Sequence, residues 1–380
     1  MYSGKHNGIK QQYQLIIKKE MKMKKILFVL SLAVAVALSF SSCSDDNDDN
    51  GKTTPEYQEG IIGYTAGAGN YGQNQGTVGS IMNNSLGEFI YSGDLYEKAN
   101  GKGIGDAQDV LAINGLVYVT CTTSSKIEIL DANGKIVKTI TMPNKSPRYL
   151  ATDGKYAYAS AYSGYVYKLD KNGIVDSVAV GPYPEAMSVA DNGKLYVNLS
   201  NYTSDGNGKY IAVVDLGTFH KVKNIECKLN PYNQSVTDGK NVYFVSYFAY
   251  SRNAVVQRLN TSTEKVDSLF EAPMIAYNPK SNSLIAMTTG YDEQWQPVTT
   301  GFFAYNLSTG NKTNYDFSAA KGASQVDVDP NSGNIYVICN PSSSTPSVLY
   351  IYDSTGKLLT PNGIQMDYSV QNIRFPITGK

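Results

Sequence analysis

The chain has 380 residues, 33 of them basic and 33 acidic, with 17% charged and 42% hydrophobic residues. Apolar content at this level can bury a core that offsets chain entropy, which excludes a disordered chain, and no basic excess exists to neutralise phosphates, which excludes a typical nucleic-acid binder. There are two histidines, one of them in the first 42 residues, so residues 43–380 have little capacity for metal or acid–base chemistry.

Residues 21–25 (MKMKK) form a short positive segment, and residues 26–38 (ILFVLSLAVAVAL) follow as an apolar run. That run is too short for a membrane-spanning helix and suits the apolar region of a signal peptide. Small residues then precede a cysteine in SFSSC (39–43), which resembles a lipobox, where a peptidase cuts before the cysteine and its thiol takes diacylglycerol. Phe40 departs from the usual Leu of that pattern, and an ordinary signal peptide with an incidental cysteine is the alternative. Residues 1–20 read as an upstream extension from a misplaced start codon. Removal of residues 1–42 takes away seven lysines and Glu20, leaving 26 basic and 32 acidic residues, a single histidine (His220) and 28 tyrosines. The acidic run SDDNDDN (44–50) after Cys43 resembles the export signal of Bacteroidota surface lipoproteins. Residues 43–58 are expected to be a lipidated cysteine and a flexible tether.

From residue 59 the chain reads as strands throughout, short alternating runs rich in Tyr, Val and Ile between Gly, Asn and Asp, with no convincing amphipathic helix. A turn glycine followed by a strand recurs at Gly115 (INGLVYV), Gly154 (TDGKYAYA), Gly193 (DNGKLYV), Gly239 (TDGKNVYFV) and Gly333 (NSGNIYV), with Asn282-Ser283 taking that place in between. Spacings of 39, 39, 46, 44 and 50 residues fit a four-stranded propeller blade with variable loops. A second turn recurs as DANGK (131–135), DKNG (170–173), DLGTF (215–219), LNTST (259–263), LSTG (307–310) and DSTG (353–356). These signals make six complete blades. Residues 61–98 supply three more strands, around 61–64, 79–83 and 88–92, and residues 368–377 (YSVQNIRFPI) supply one inner strand. Joined, they predict an all-β, seven-bladed propeller over 59–380 closed by pairing of its N- and C-terminal strands; six or eight blades are the alternatives. Cys121, Cys227 and Cys339 have no paired spacing and read as buried thiols, the first and last ending the similar strands YVTC and YVIC.

The stretches NGKGIGDAQDV (100–110), SPRYLATDGKYAYASAYSGYVYKLD (146–170) and VGPYPEAMSVADNGKLYV (180–197) resemble the Bacteroidota surface propellers related to YVTN-repeat and YncE-type proteins. Within them the resemblance points to the outer-membrane cobalamin-binding lipoproteins that cap the vitamin's TonB-dependent transporter. It implies a lipid-anchored, surface-exposed outer-membrane protein that binds cobalamin or another corrinoid as transported ligand. A glycan- or protein-binding scaffold of the envelope is the alternative function.

The first residues of the inner strands should face the channel mouth, placing Gln108, Arg148, Glu185, Gln234, Pro273, Gln325 and Gln371 at one level. Six of these seven are long and hydrogen-bonding, a polar ring for amide and charged groups, although water-filled channels tolerate polar residues anyway. Loops on the same face bring Asn70-Tyr71, Ser124-Ser125, Tyr162, Asn201-Tyr202, Tyr247 to Tyr250, Tyr291 to Gln296 and Asn340-Pro341. The candidate ligand-binding aromatics are Tyr162, Tyr202, Tyr247, Tyr291 and Trp295, rigid area with a polar tip suited to a large amphipathic ligand, unless they fill gaps between blades. No zinc spacing, phosphate loop or nucleophile–histidine arrangement is present, and His220 falls in a peripheral turn, so no enzyme, cofactor or metal site is expected.

Overall fold

A computed structural model describes residues 60–69, 75–200, 208–247, 254–293, 297–340 and 345–377. Among them, 28 strands form seven antiparallel four-stranded sheets, the blades of a propeller. Blade II is β4 (Asp109–Ile113), β5 (Leu116–Cys121), β6 (Lys126–Asp131) and β7 (Ile136–Thr141); blade III is β8 (Pro147–Thr152), β9 (Ala157–Ala161), β10 (Tyr165–Asp170) and β11 (Gly173–Ala179). Blade IV is β12 (Pro184–Val189), β13 (Lys194–Leu199), β14 (Tyr210–Asp215) and β15 (His220–Glu226). Blade V is β16 (Pro231–Thr237), β17 (Asn241–Tyr247), β18 (Ala254–Asn260) and β19 (Val266–Glu271). Blade VI is β20 (Met274–Asn278), β21 (Ser283–Tyr291), β22 (Pro297–Asn306) and β23 (Lys312–Asn314); blade VII is β24 (Ala323–Val328), β25 (Ile335–Cys339), β26 (Pro346–Tyr352) and β27 (Ile364–Tyr368).

Blade I joins the two ends of the ring. Its inner strand is β28 (Val370–Arg374), followed outward by β1 (Ile61–Gly67), β2 (Thr77–Asn83) and β3 (Phe89–Tyr91). β28 pairs with β1 from Tyr64↔Arg374 to Gly67↔Val370, as the terminal segments predict.

The blade repeat has a local chemical cause. Asn114 and Gly115 both take positive φ (53° and 74°), which makes the β4–β5 connection a two-residue turn whose twist matches the flanking strands. In TDGKYAY and TDGKNVYF the turn aspartate caps the turn and reaches the strand behind it. Asp153 accepts from the Tyr158 hydroxyl and Asp238 from the Tyr243 hydroxyl, each at 2.8 Å. In blade IV the Asn192 amide donates to the Tyr196 hydroxyl instead. Each tyrosine is otherwise buried, so the polar tip is satisfied while the ring packs.

Second and third strands are buried on both faces because each sheet is sandwiched between neighbours; β5 (LVYVTC) and β13 (KLYVNL) are buried along nearly their whole length. Outer strands such as β7 and β15 are mostly exposed. Among the described residues, buried apolar side chains fall into seven clusters, one at each interface between adjacent blades. The cluster between blades VII and I unites Tyr336, Ile338 and Met366 with Ile81, Val370 and Ile373.

Three sequence expectations change. A helix does form: α1 (Leu95–Asn100) joins blade I to blade II, capped by the Asp94 carboxylate on the Tyr96 and Glu97 amides and ended by Gly101 at φ 66°. It is a six-residue turn with one buried residue, Tyr96, too short for a periodic signal. Cys121 and Cys339 are buried, whereas Cys227, just past β15, is only partly so. His220 opens β15 on the exposed rim of blade IV instead of lying in the turn before it.

Candidate functional site

All the inner strands start on one face of the ring, and irregular backbone shapes that entrance. Pro147, Pro184 and Pro231 begin β8, β12 and β16, where a missing amide proton costs no ladder bond. The register then shifts before Leu150, Met187 and Ser235, and again between Ala323 and Gln325. A bulge re-aims the side chains it contains, here Arg148, Glu185 and Gln234, with Gln325 at the end of the fourth. The preceding residues Ser146, Tyr183 and Asn230 sit at φ 48°, 48° and 58°, a left-handed conformation that bulky side chains rarely adopt.

At the mouth, Arg148 links three blades. Its Nη1 donates to Gln108 Oε1 at 2.7 Å, its Nε to Glu185 Oε2 at 3.3 Å, and its Nη2 to the Tyr149 hydroxyl at 3.3 Å. The guanidinium carbon lies 4.7 Å from the Tyr162 ring centre and 5.0 Å from that of Tyr149. Glu185 also accepts from Ser200 at 2.9 Å and from the Tyr162 hydroxyl. Burial pushes the Glu185 carboxyl above its usual range, and Arg148, Ser200 and Tyr162 pull it back. Tyr162 packs edge-on to Tyr183 at 5.5 Å, and Tyr232 edge-on to Tyr247 at 5.8 Å. These four half-buried tyrosines line the blade III–V side of the mouth.

The other ring residues bond one another or the backbone. Gln234 Nε2 donates across blade VI to Gln325 Oε1 at 3.0 Å, and Gln371 Nε2 turns back to the Ser369 carbonyl at 3.0 Å. The Pro273 carbonyl accepts from the Tyr247 hydroxyl at 2.9 Å. The single level predicted for these residues therefore becomes a partly closed plug, because the bulges displace some side chains and Gln371 folds away. Tyr247 ends β17 and Tyr291 ends β21, so both belong to strands rather than loops; Tyr291 is 46% exposed. Tyr202 and Trp295 lie outside the described residues, as does Cys43. Ser124 is tied to Asp106 and Asn340 to Ser347 and the Val370 carbonyl, which makes both structural.

A second polar layer lies behind the ring, and sequence reasoning missed it. Arg374 donates to Asp327 at 2.7 Å and stands 3.5 Å from Asp109. Both carboxylates are buried, which raises their pKa values against the pull of Arg374. Asp109 also accepts from Leu150 N of blade III and from Asn372 Nδ2, while Asp327 accepts from Ile373 N. A cavity of about 120 Å³ lies here, polar at Asp109, Asp327 and Arg374 and apolar at Met187, Val236 and Ile275. The signal was present as a charged or amide residue inside each otherwise apolar inner strand, in AQDV, QVDV and VQNIR. Among the described residues no group of three or more His, Cys, Asp or Glu could hold a metal ion.

No family model and no curated protein matches this chain. Solved structures do. A protein from Lactobacillus plantarum has a TM-score of 0.57 at 16% identity, covering 83% of this chain and 99% of that one. A quinonprotein alcohol dehydrogenase-like protein from Bacteroides thetaiotaomicron has the same score and identity, covering 83% of this chain and 78% of that one. The WD40 β-propeller domain of Doa1 follows with 0.53 at 11% identity, over 75% of this chain and 90% of that one. At such identities the likeness establishes the propeller fold and nothing finer.

Proposed function

We propose that this propeller is a non-catalytic, surface-exposed outer-membrane lipoprotein that binds an amphipathic ligand at the channel mouth. Its preferred ligand class is a corrinoid passed on to a TonB-dependent transporter. The observation behind this reading is the aromatic–guanidinium cluster, in which Arg148 lies against Tyr149 and Tyr162 with Tyr183, Tyr232 and Tyr247 beside it. Tyrosine rings offer a flat apolar surface, and their hydroxyls with Arg148 and Glu185 offer hydrogen bonds. A broad macrocycle edged with amides asks for both. The channel cavity, at about 120 Å³, is far smaller than the roughly 300 Å³ at which ordinary ligand pockets begin. The ligand therefore rests on the mouth and does not enter the channel as a whole. Glu185 is held by Arg148, Ser200 and Tyr162, an arrangement for positioning rather than proton transfer. Stacked tyrosines next to a carboxylate also suit a sugar ring, which keeps a glycan-binding scaffold as the second reading.

Calorimetry with cyanocobalamin at tens of micromolar protein separates the two. Truncating a buried aromatic or arginine anchor typically costs about 2–4 kcal/mol, so Arg148→Ala and Tyr162→Ala should each weaken binding roughly 30- to 1,000-fold. His220→Ala, on the exposed rim of blade IV, should change nothing. Absence of heat with the wild-type protein would reject the corrinoid reading and leave the glycan one.

A further inference from the structure

Five inner strands are preceded by a residue in the left-handed region: Ser146, Tyr183, Asn230, Gly322 and Ser369, at φ 48°, 48°, 58°, 73° and 52°. Four of them are small or take this conformation readily, and Tyr183 is the exception. The structural task at this position belongs to the backbone. In blades III, IV and V the carbonyls of Ser146, Tyr183 and Asn230 accept from the amide that follows the second strand, Tyr162 N at 3.1 Å, Ser200 N at 3.0 Å and Tyr247 N at 3.1 Å. A serine or an asparagine is therefore enough to make the turn, and it does not require a ring. Among the described residues one other aromatic residue takes a positive φ, Phe219 at 52°. Its ring is 5% exposed and stacked on Tyr158 at 5.9 Å, so core packing offsets the strain there. Tyr183 is only half-buried, at the mouth, where its ring meets that of Tyr162 edge-on. Backbone strain kept without a core to justify it is characteristic of binding positions.

We propose that Tyr183 is a ligand-contacting residue of the mouth, held strained so that its ring stacks on a flat, unsaturated ring of the ligand. Pro182 and Pro184 flank it and fix φ on either side, and the contact with Tyr162 holds the ring in place. A ring positioned in advance loses little freedom when a ligand arrives, and offset stacking on a second ring is a geometry that aromatic faces favour. The inference rests on the mouth-binding reading and sharpens it by naming a contact residue and the group it takes. Arg148 cannot separate recognition from folding, because it is buried and bonded to Gln108, Glu185 and Tyr149. Tyr183 can, since its carbonyl does the structural work and its side chain is left for the ligand.

The test gives the whole protein the residue that blade V uses at the same place, Tyr183→Asn, with Tyr183→Phe as the conservative variant. Indole at about 2 mM, a concentration suited to millimolar fragment affinity, is the probe, read by saturation-transfer NMR. The wild type and Tyr183→Phe should give a signal, and Tyr183→Asn should reduce it several-fold. The melting temperature of Tyr183→Asn should be no lower than that of the wild type, because the strain leaves with the ring; a ring that serves packing alone would lower it. Indole silent in the wild type, equally strong in Tyr183→Asn or lost in Tyr183→Phe would overturn the proposal, as would a Tyr183→Asn variant that melts below the wild type. A signal from methyl glucoside with indole silent would overturn it in favour of a sugar. Cyanocobalamin binding is scored separately and should weaken at least tenfold in Tyr183→Asn. If the wild type fails to bind it while indole behaves as expected, the corrinoid reading falls and the role of Tyr183 stands; if wild type and Tyr183→Asn bind it equally, the role of Tyr183 falls and the corrinoid reading stands.

Discussion

Arg148 illustrates how a residue of the proposed binding site can also carry stability. Its partner Glu185 is fully buried, with its carboxyl held above the usual range by desolvation and lowered by the guanidinium. Removing one member of a buried pair strands the other, at a cost of about 3–5 kcal/mol. Arg148→Ala should thus destabilise strongly at neutral pH, and adding Glu185→Gln should restore much of the loss. The pH dependence has a defined sign. A carboxyl whose folded pKa is raised binds its proton more tightly in the folded state, so its contribution is fully present below the unfolded pKa and is lost as pH rises through the folded one. Without Arg148 that rise is larger, so the variant's deficit in urea unfolding should be greater at pH 7 than at pH 5. Equal deficits at both values would mean that water reaches Glu185 in the variant.

Among the elements, β28 is the one that closes the ring. It contributes Val370 and Ile373 to the core between blades VII and I, and Arg374 to the carboxylates of blades II and VII. Deleting residues 366–380 removes these contacts together with Met366 and leaves β1 with an unpaired edge. Loss of cooperative unfolding, or aggregation, is the expected result, and an unchanged melting curve would show that β28 is dispensable. Arg374→Ala tests the polar half of the clasp alone. It leaves two buried carboxylates sharing no cation and should cost about 3–5 kcal/mol. The exposed pair Arg258–Asp267, equally well formed at 2.8 Å, should contribute about 0–1 kcal/mol when removed. Denaturant melts of Arg374→Ala and Arg258→Ala compare the two directly.

For the whole molecule, the proposed role depends on where the propeller is displayed. The cysteine after SFSS and the acidic run behind it lead us to propose a lipid anchor on the outer leaflet. Cys43→Ala should then release the protein from the membrane fraction, and added proteinase should digest the wild type on intact cells. Protection of the wild type on intact cells would count against surface display.

The fold was legible in the sequence because each blade repeats its own local chemistry. A turn glycine with an aspartate or asparagine beside it, followed by a buried tyrosine strand, announces a hairpin without reference to the rest of the chain, and its spacing counts the blades. The closing pair was legible as well, since the two ends each lacked what the other supplied. Arg148 and Glu185 could be placed at one level because each follows the proline that opens an inner strand, and Tyr162 on the same face because it lies in a loop between a second and a third strand. The polar clasp of Asp109, Asp327 and Arg374, the paired state of the glutamines and the left-handed backbone of Tyr183 emerged only with the tertiary structure. These depend on backbone bulges and on side chains that meet across blades, such as Asn372 and Asp109, 263 residues apart in the chain. Repetition is a local property that the chain writes out blade by blade. The contents of the channel are decided by seven strands converging from distant segments, and no periodicity encodes which of their side chains will find partners.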